Sequence, residues 1–159
     1  TGDFAYALDF GNAGGDKVIG DFTFHSAEAS ATAFTYAENT LAYHRAELGA
    51  DADSQALEDV LETIRWTGTD RPQENVAVDL TELTPGQEYK LQLLFSDSNS
   101  LSRNFDVIVN GINIADDYSV GTASGGGTAS YLTYNFIAGS EEMNLLLNGW
   151  SMASSPPAR

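Results

Sequence analysis

The sequence predicts an all-β fold, an antiparallel β-sandwich of jelly-roll type with one short amphipathic helix near residues 54–65. Three observations carry that prediction. About eight to ten strand-like stretches of period-two alternation recur along the chain with turn signals between them. Only one stretch has clear helical periodicity. At 159 residues, 42% hydrophobic and 11% aromatic, the chain is long and apolar enough for one domain with a sizeable core.

Taken in order, "FAYALDF" places Phe4, Tyr6, Leu8 and Phe10 on one face of a strand, with Asp9 opposite. A Gly-rich connection, "NAGGDKVIG", leads to a second strand, "DFTFHS". "AFTYAENTLAYHRAEL" has mixed periodicity, with Phe34, Tyr36, Leu41 and Tyr43 as its large apolar positions. In "DADSQALEDVLETIRWTG", Leu57, Val60, Leu61 and Ile64 fall at i, i+3, i+4 and i+7. Asp53 or Ser54 can cap its start, and Gly68 stands just past its end. The stripe predicts a helix docked on a sheet.

Beyond it the chain returns to strands: "NVAVDL", the turn "TPGQ", and "YKLQLLFSD" with Tyr89, Leu91, Leu93 and Phe95 inward. "RNFDVIVNGINIADDY" follows. Its alternation is broken by Asn110-Gly111, the pair that a two-residue type I′ turn favours, because both central residues need positive φ. "YLTYNFIA" and "MNLLLNGWSM" complete the set, and "GTASGGG" over residues 121–127 reads as a flexible loop. That loop lacks a GxGxxG or P-loop pattern. A domain over residues 1–152 and a linker or tail over 153–159, "ASSPPAR", are expected, as in a module of a larger multidomain chain.

Charge narrows the partners. There are 23 acidic residues against 7 basic, a formal net charge of −16, and no Lys/Arg cluster. Such a surface repels nucleic-acid phosphates and anionic bilayers, and it disfavours anionic polymers. Absence of cysteine excludes a disulfide framework, a thiolate zinc site and a cysteine nucleophile. No run of about 18 apolar residues marks a membrane span, so insertion is not expected.

"YKLQLLFSD" followed closely by "RNFDVIVNG" resembles the malectin-like branch of the galactose-binding-like sandwiches, which pair an aromatic-led strand ending in Phe-Ala-Glu with Phe-Asp-Val-x-Val-Asn-Gly. "NAGGDKVIGDFTF" is similar to the family's Gly-Gly segment, and "ETIRWTG" to its Thr-Glu-Arg-Tyr segment. The resemblance spreads over residues 8–149. It implies a non-catalytic carbohydrate-binding fold whose ligand is held by loops at one end. By position it puts Trp66 where the family has a tyrosine and makes Tyr36 the counterpart of an earlier loop tyrosine. One departure is plain: after the Phe-Ala-Glu-like strand the family carries an aromatic pair, whereas this loop reads "SDSNSLSR".

Sugar recognition needs an apolar face to stack on a pyranose ring and polar groups to take its hydroxyls. Trp66, Trp150, Tyr36 and Tyr43 are the aromatic candidates, each with a competing reading as a core residue. Asp97, Asn99 and Arg103 supply a carboxylate, an amide and a guanidinium within seven residues, although Asp97 and Asn99 can equally satisfy the loop's own backbone. His44, beside Tyr43, is a further contact candidate. His25, on an alternating strand beside Thr23, reads as structural.

Asp51 with Asp53, and Asp116 with Asp117, resemble fragments of calcium sites, which makes a structural calcium ion a candidate cofactor. Helix capping and plain solvation explain the same residues. No zinc-ligand pattern, nucleophile elbow or catalytic triad is visible, so an enzyme is not expected. The sequence therefore points to a carbohydrate-binding module of a secreted or cell-surface bacterial protein, taking neutral glycans. The alternative is a structural or adhesive spacer, or a protein-protein interaction module.

Overall fold

The computed structural model describes residues 4–10, 15–26, 33–36, 39–42, 47–66, 75–96, 104–124 and 129–149, with backbone alone for 33–36, 39–42 and 63–66. Within them lie twelve strands and two helices, and every strand pair but one is antiparallel. The exception is β1 (Leu8–Asp9), which runs parallel to β3 (Phe22–Ser26); β2 (Lys17–Ile19) pairs with the other side of β3. The β2–β3 turn is Gly20-Asp21, with positive φ at Gly20 alone (55°), the pattern of a type II′ turn.

The first stretch departs from its predicted pattern. Only two residues of "FAYALDF" pair as a strand, and Asp9, expected on the outward face, is 1% exposed. Parallel pairing with β3 turns that side of the chain inward. Tyr6 and Phe10 still pack on the core, and the Tyr6 hydroxyl donates to the Thr81 carbonyl.

β4 (Ala33–Tyr36) and β5 (Asn39–Ala42) precede helix α1 (Ala52–Leu61), and β6 (Thr63–Trp66) follows it. The helix is shorter than its periodicity suggests. Ile64, which completes the i+7 stripe, lies on β6, where it is the Cα partner of Leu41, so Gly68 does not end the helix. The run Thr63-Ile64-Arg65-Trp66 has β-branched and aromatic residues that suit a strand, and pairing with residues 39–42 gives it one. The helix buries Val60 and Leu61.

The main sheet has the order β10-β9-β12-β7-β4, built from β7 (Val76–Leu80), β9 (Phe105–Val109), β10 (Ile112–Tyr118) and β12 (Met143–Asn148) with β4 at one edge. β8 (Glu88–Ser96) and β11 (Ala129–Ile137) form a separate nine-residue antiparallel ladder. The Asn110-Gly111 turn joins β9 to β10 with φ of 49° and 78°, positive at both positions as a type I′ turn requires. In "TPGQ", Gly86 has φ 83° after Pro85, and the Gln87 N–H donates to the Thr84 carbonyl at 3.1 Å, a type II pattern.

Alternation then decides what is buried. Val78, Val107, Val109, Met143 and Leu145 of the main sheet form one buried cluster with Leu93 of the ladder, bordered by Tyr89, Leu91, Phe95, Leu132, Tyr134 and Phe136. The ladder thus turns one face to the main sheet and the other to solvent. Part of the expected 121–127 loop is instead ordered as a single helical turn, α2 (Val120–Ala123). Val120 is buried there, and the Ala123 and Ser124 N–H groups donate to the carbonyls of Ser119 and Val120, both at 2.9 Å. No helix among the described residues is long and apolar enough to cross a membrane.

Candidate functional site

Strand direction places the site candidates. At one end of the main sheet lie the last residue of β4, Tyr36, next to Ala77, and the first residue of β7, Val76, opposite Leu147. The last residue of β12, Asn148, lies opposite Asp106 near the start of β9. The ladder closes over the same end. Phe95, Phe105 and Tyr118 meet there with ring centroids 5.1–5.5 Å apart, and the Tyr118 hydroxyl donates to Ser130 Oγ at 2.8 Å.

Asp97, Asn99, Arg103 and Trp150 lie outside the described residues, as do Tyr43 and His44. The strands that flank four of them nevertheless end at this place: β8 at Ser96, β9 at Phe105, β12 at Asn148. Trp66 is the last residue of β6. Its Cα partner is Asn39, three residues after Tyr36. Full extension over three residues plus one strand spacing sets an upper limit of roughly 16 Å on the distance from the Trp66 Cα to the Tyr36 Cα. The Asn110-Gly111 turn and the 84–87 turn lie at the opposite end, the one holding Met143 and Leu80.

Polar groups at the crowded end are partly committed. Asp106 accepts from the Asp117 N–H at 3.0 Å, across a bulge in β10 where Asp117 takes φ 49°. Asp116, exposed, accepts from Asn113 Nδ2 at 3.3 Å. Ser96 Oγ, at the end of β8, is buried and has no hydrogen-bond partner among the described residues.

The other carboxylate pair is spent on helix α1. Asp51, not Asp53 or Ser54, is its N-cap: its Oδ1 accepts from the Ser54 N–H at 2.9 Å and its Oδ2 from the Ser54 hydroxyl at 2.6 Å. Asp53 Oδ1 accepts from the Gly20 N–H at 2.9 Å, tying the helix start to the β2–β3 turn. Calcium wants six or more oxygens around one point. Among the described residues no group of three or more His, Asp or Glu side chains gathers to hold a metal ion. His25 is exposed, its Nδ1 2.9 Å from Asp16 Oδ2.

Hydrogen bonds from the Ser54 hydroxyl, then from the Ser54 N–H, hold the Asp51 carboxyl below its ordinary pKa. A carboxylate with a folded pKa below its unfolded one adds stability that is present above the unfolded value and lost as pH falls through the folded one. Asp51→Ala is therefore less stable than the parent near neutral pH. Thermal melts of the two proteins draw together in acid below the usual carboxylate range, while Asp51→Asn, which keeps an accepting oxygen but does not titrate, holds an advantage over Asp51→Ala that does not change across that range. A gap that persists unchanged in acid contradicts the assignment.

One exposed aromatic was not singled out by sequence. Tyr131 on β11 is 67% exposed, with Leu94 as its direct cross-strand neighbour. Strict alternation in "YLTYNFI" already puts Tyr131 opposite Leu132 in facing, but only the position of the core decides which of the two faces is wet. Comparison with family models, with curated proteins and with solved structures gives no match to this chain.

Proposed function

We propose that this chain is a non-catalytic carbohydrate-binding module, with the main sheet and the β8–β11 ladder as the two layers of an antiparallel jelly-roll sandwich of galactose-binding-like type. One observation supports the reading above the others. The end of β4 at Tyr36, the end of β8 before Asp97 and Asn99, the start of β9 after Arg103 and the end of β12 before Trp150 lie at one end of the sheets. Loops carried on a rigid β-scaffold are where binding groups concentrate. The malectin-like resemblance of "YKLQLLFSD" and "RNFDVIVNG" favours the same class of ligand.

Binding is an equilibrium with no bond made or broken. Trp66, Trp150 or Tyr36 stacks on a pyranose ring, while Asp97, Asn99 and Arg103 take vicinal hydroxyls. A shallow, wet site of this make binds in the millimolar to micromolar range, about −4 to −8 kcal/mol. The net charge of −16 favours neutral glycans over uronic-acid or sulfated ones. Such a module serves a secreted or cell-surface multidomain protein by holding it on its polysaccharide.

A glycan array followed by calorimetry tests this. Neutral oligosaccharides bind, and Trp66→Ala, Trp150→Ala and Arg103→Ala each weaken that binding about tenfold. If no neutral glycan binds, the reading falls and a structural spacer or adhesive module takes its place.

A further inference from the structure

The ladder's solvent face differs from the outer side of the main sheet. From the candidate end outward, its cross-strand pairs run Leu94–Tyr131, Gln92–Thr133, Lys90–Asn135 and Glu88–Ile137, all of them exposed. Successive pairs are about 6.8 Å apart, two residues along an antiparallel strand, so the four span roughly 20 Å. Lys90 and Glu88 are the only charges on this face and cancel. It is thus a neutral strip on a protein of net charge −16.

Its polar groups are also uncommitted. Among the described residues, Lys90, Gln92, Thr133 and Asn135 make no side-chain hydrogen bond. The outer side of the main sheet is the opposite case. There Asn144 Nδ2 donates to Asp79 Oδ1 at 2.6 Å, Asn110 Oδ1 accepts from the Asn144 N–H at 2.8 Å, and Asp106 accepts from the Asp117 N–H. That side is acidic and spends its amides on itself.

We infer that the outer face of the β8–β11 ladder carries successive units of a neutral polysaccharide chain, extending the loop-end site along the sheet; this rests on the carbohydrate reading above. Tyr131 supplies the stacking surface, with Leu94 widening it. Gln92, Thr133 and Asn135 offer amides and a hydroxyl, which both donate and accept, as sugar hydroxyls do. An uncharged strip beside acidic surroundings selects an uncharged, hydroxyl-rich chain, since an anionic one is repelled and a cationic one finds better partners elsewhere on the surface. Tyr131 lies two residues from the start of β11, at the end of the ladder where β8 stops at Ser96, so the face begins beside a strand end that flanks the loop-end candidates.

Calorimetry with cello-, laminari- and manno-oligosaccharides from disaccharide to hexasaccharide tests the inference, using the parent, Tyr131→Ala, Gln92→Ala and Arg103→Ala. In the series that binds, parent affinity rises with length. Tyr131→Ala loses about tenfold on the hexasaccharide and little on the disaccharide, Gln92→Ala loses less in the same sense, and Arg103→Ala weakens every length alike. An unchanged melting temperature for Tyr131→Ala shows that the loss is not unfolding, as its exposure leads one to expect. If the parent binds and Tyr131→Ala keeps the full gain with length, the face is not a binding surface and the loop-end reading stands. If no series binds the parent, both readings fall. If Tyr131→Ala loses binding and Arg103→Ala does not, the face is the site and the loop end is not.

Discussion

Met143→Ala lowers the free energy of unfolding by about 2–5 kcal/mol, the range for truncating a fully buried methionine. Met143 is 1% exposed and belongs to the cluster formed by Val78, Val107, Val109, Leu145 and Leu93. It opens β12, opposite Leu80, so its side chain plugs the far end of the space between main sheet and ladder. Removing its thioether leaves a void whose lining loses contacts that backbone adjustment cannot restore, because both neighbouring strands are fixed by register. Met143→Leu nearly conserves volume and costs less than about 1.5 kcal/mol. Urea unfolding reads both, as a shifted midpoint at constant slope. A cost below about 1 kcal/mol for the alanine variant would place Met143 outside the core.

Glu58→Ala costs about 1.5–3 kcal/mol, through backbone rather than packing. Glu58 is a buried carboxylate in α1 whose Oε1 accepts from the Leu48 N–H at 2.6 Å and the Gly49 N–H at 3.2 Å. Two main-chain donors of the segment approaching the helix depend on that one oxygen, and hydrogen bonds to a charged acceptor are among the stronger ones. Gly49 shows how close the approach is: a Cβ placed there would lie 3.0 Å from Ser54 Oγ and 3.2 Å from Asp51 Oδ2. Glu58→Gln keeps one neutral acceptor and loses about half as much. Hydrogen exchange at Leu48 and Gly49 separates this cause from a general loosening, since those two amides lose protection in Glu58→Ala before the β8–β11 ladder does.

What the sequence makes legible is what local chemistry decides. Asn110-Gly111 names its turn because positive φ at two successive positions is a demand few residues meet, and the turn is there. Pro85-Gly86 and the alternation of "YKLQLLF" are legible for the same reason. The end of α1 is not. Leu57, Val60, Leu61 and Ile64 fit a helix well, yet Ile64 joins a strand because residues 39–42 offer it a partner, and that offer is non-local. Asp9 fails similarly: alternation assigns it a face, but parallel pairing with β3 decides that this face is buried. Of the candidate site, the residue types are readable and their gathering is not. That Tyr36 and the strand ends flanking residues 97–103 and 150 share one end follows only from the register of β4 on β7 and of β12 on both β7 and β9. Tyr131 lay in plain alternation, but exposure depends on which layer covers which.

The position of β12 has a consequence in time as well as in space. Met143–Asn148 lies between β9 and β7, strands made well before it, and β9 and β7 do not pair with each other. As the chain emerges during synthesis, the β9–β10 hairpin can close at once through its two-residue turn, but β7 and β9 each keep an unpaired edge until residue 148 is free. The centre of the sheet is therefore the last part to be closed rather than the seed. Pairing across such sequence distances pays loop-closure entropy before it gains contacts, which sets refolding in the range of milliseconds to seconds. A chain arrested before Met143 presents two open strand edges, each a template for another chain, and is expected to aggregate where the whole protein does not.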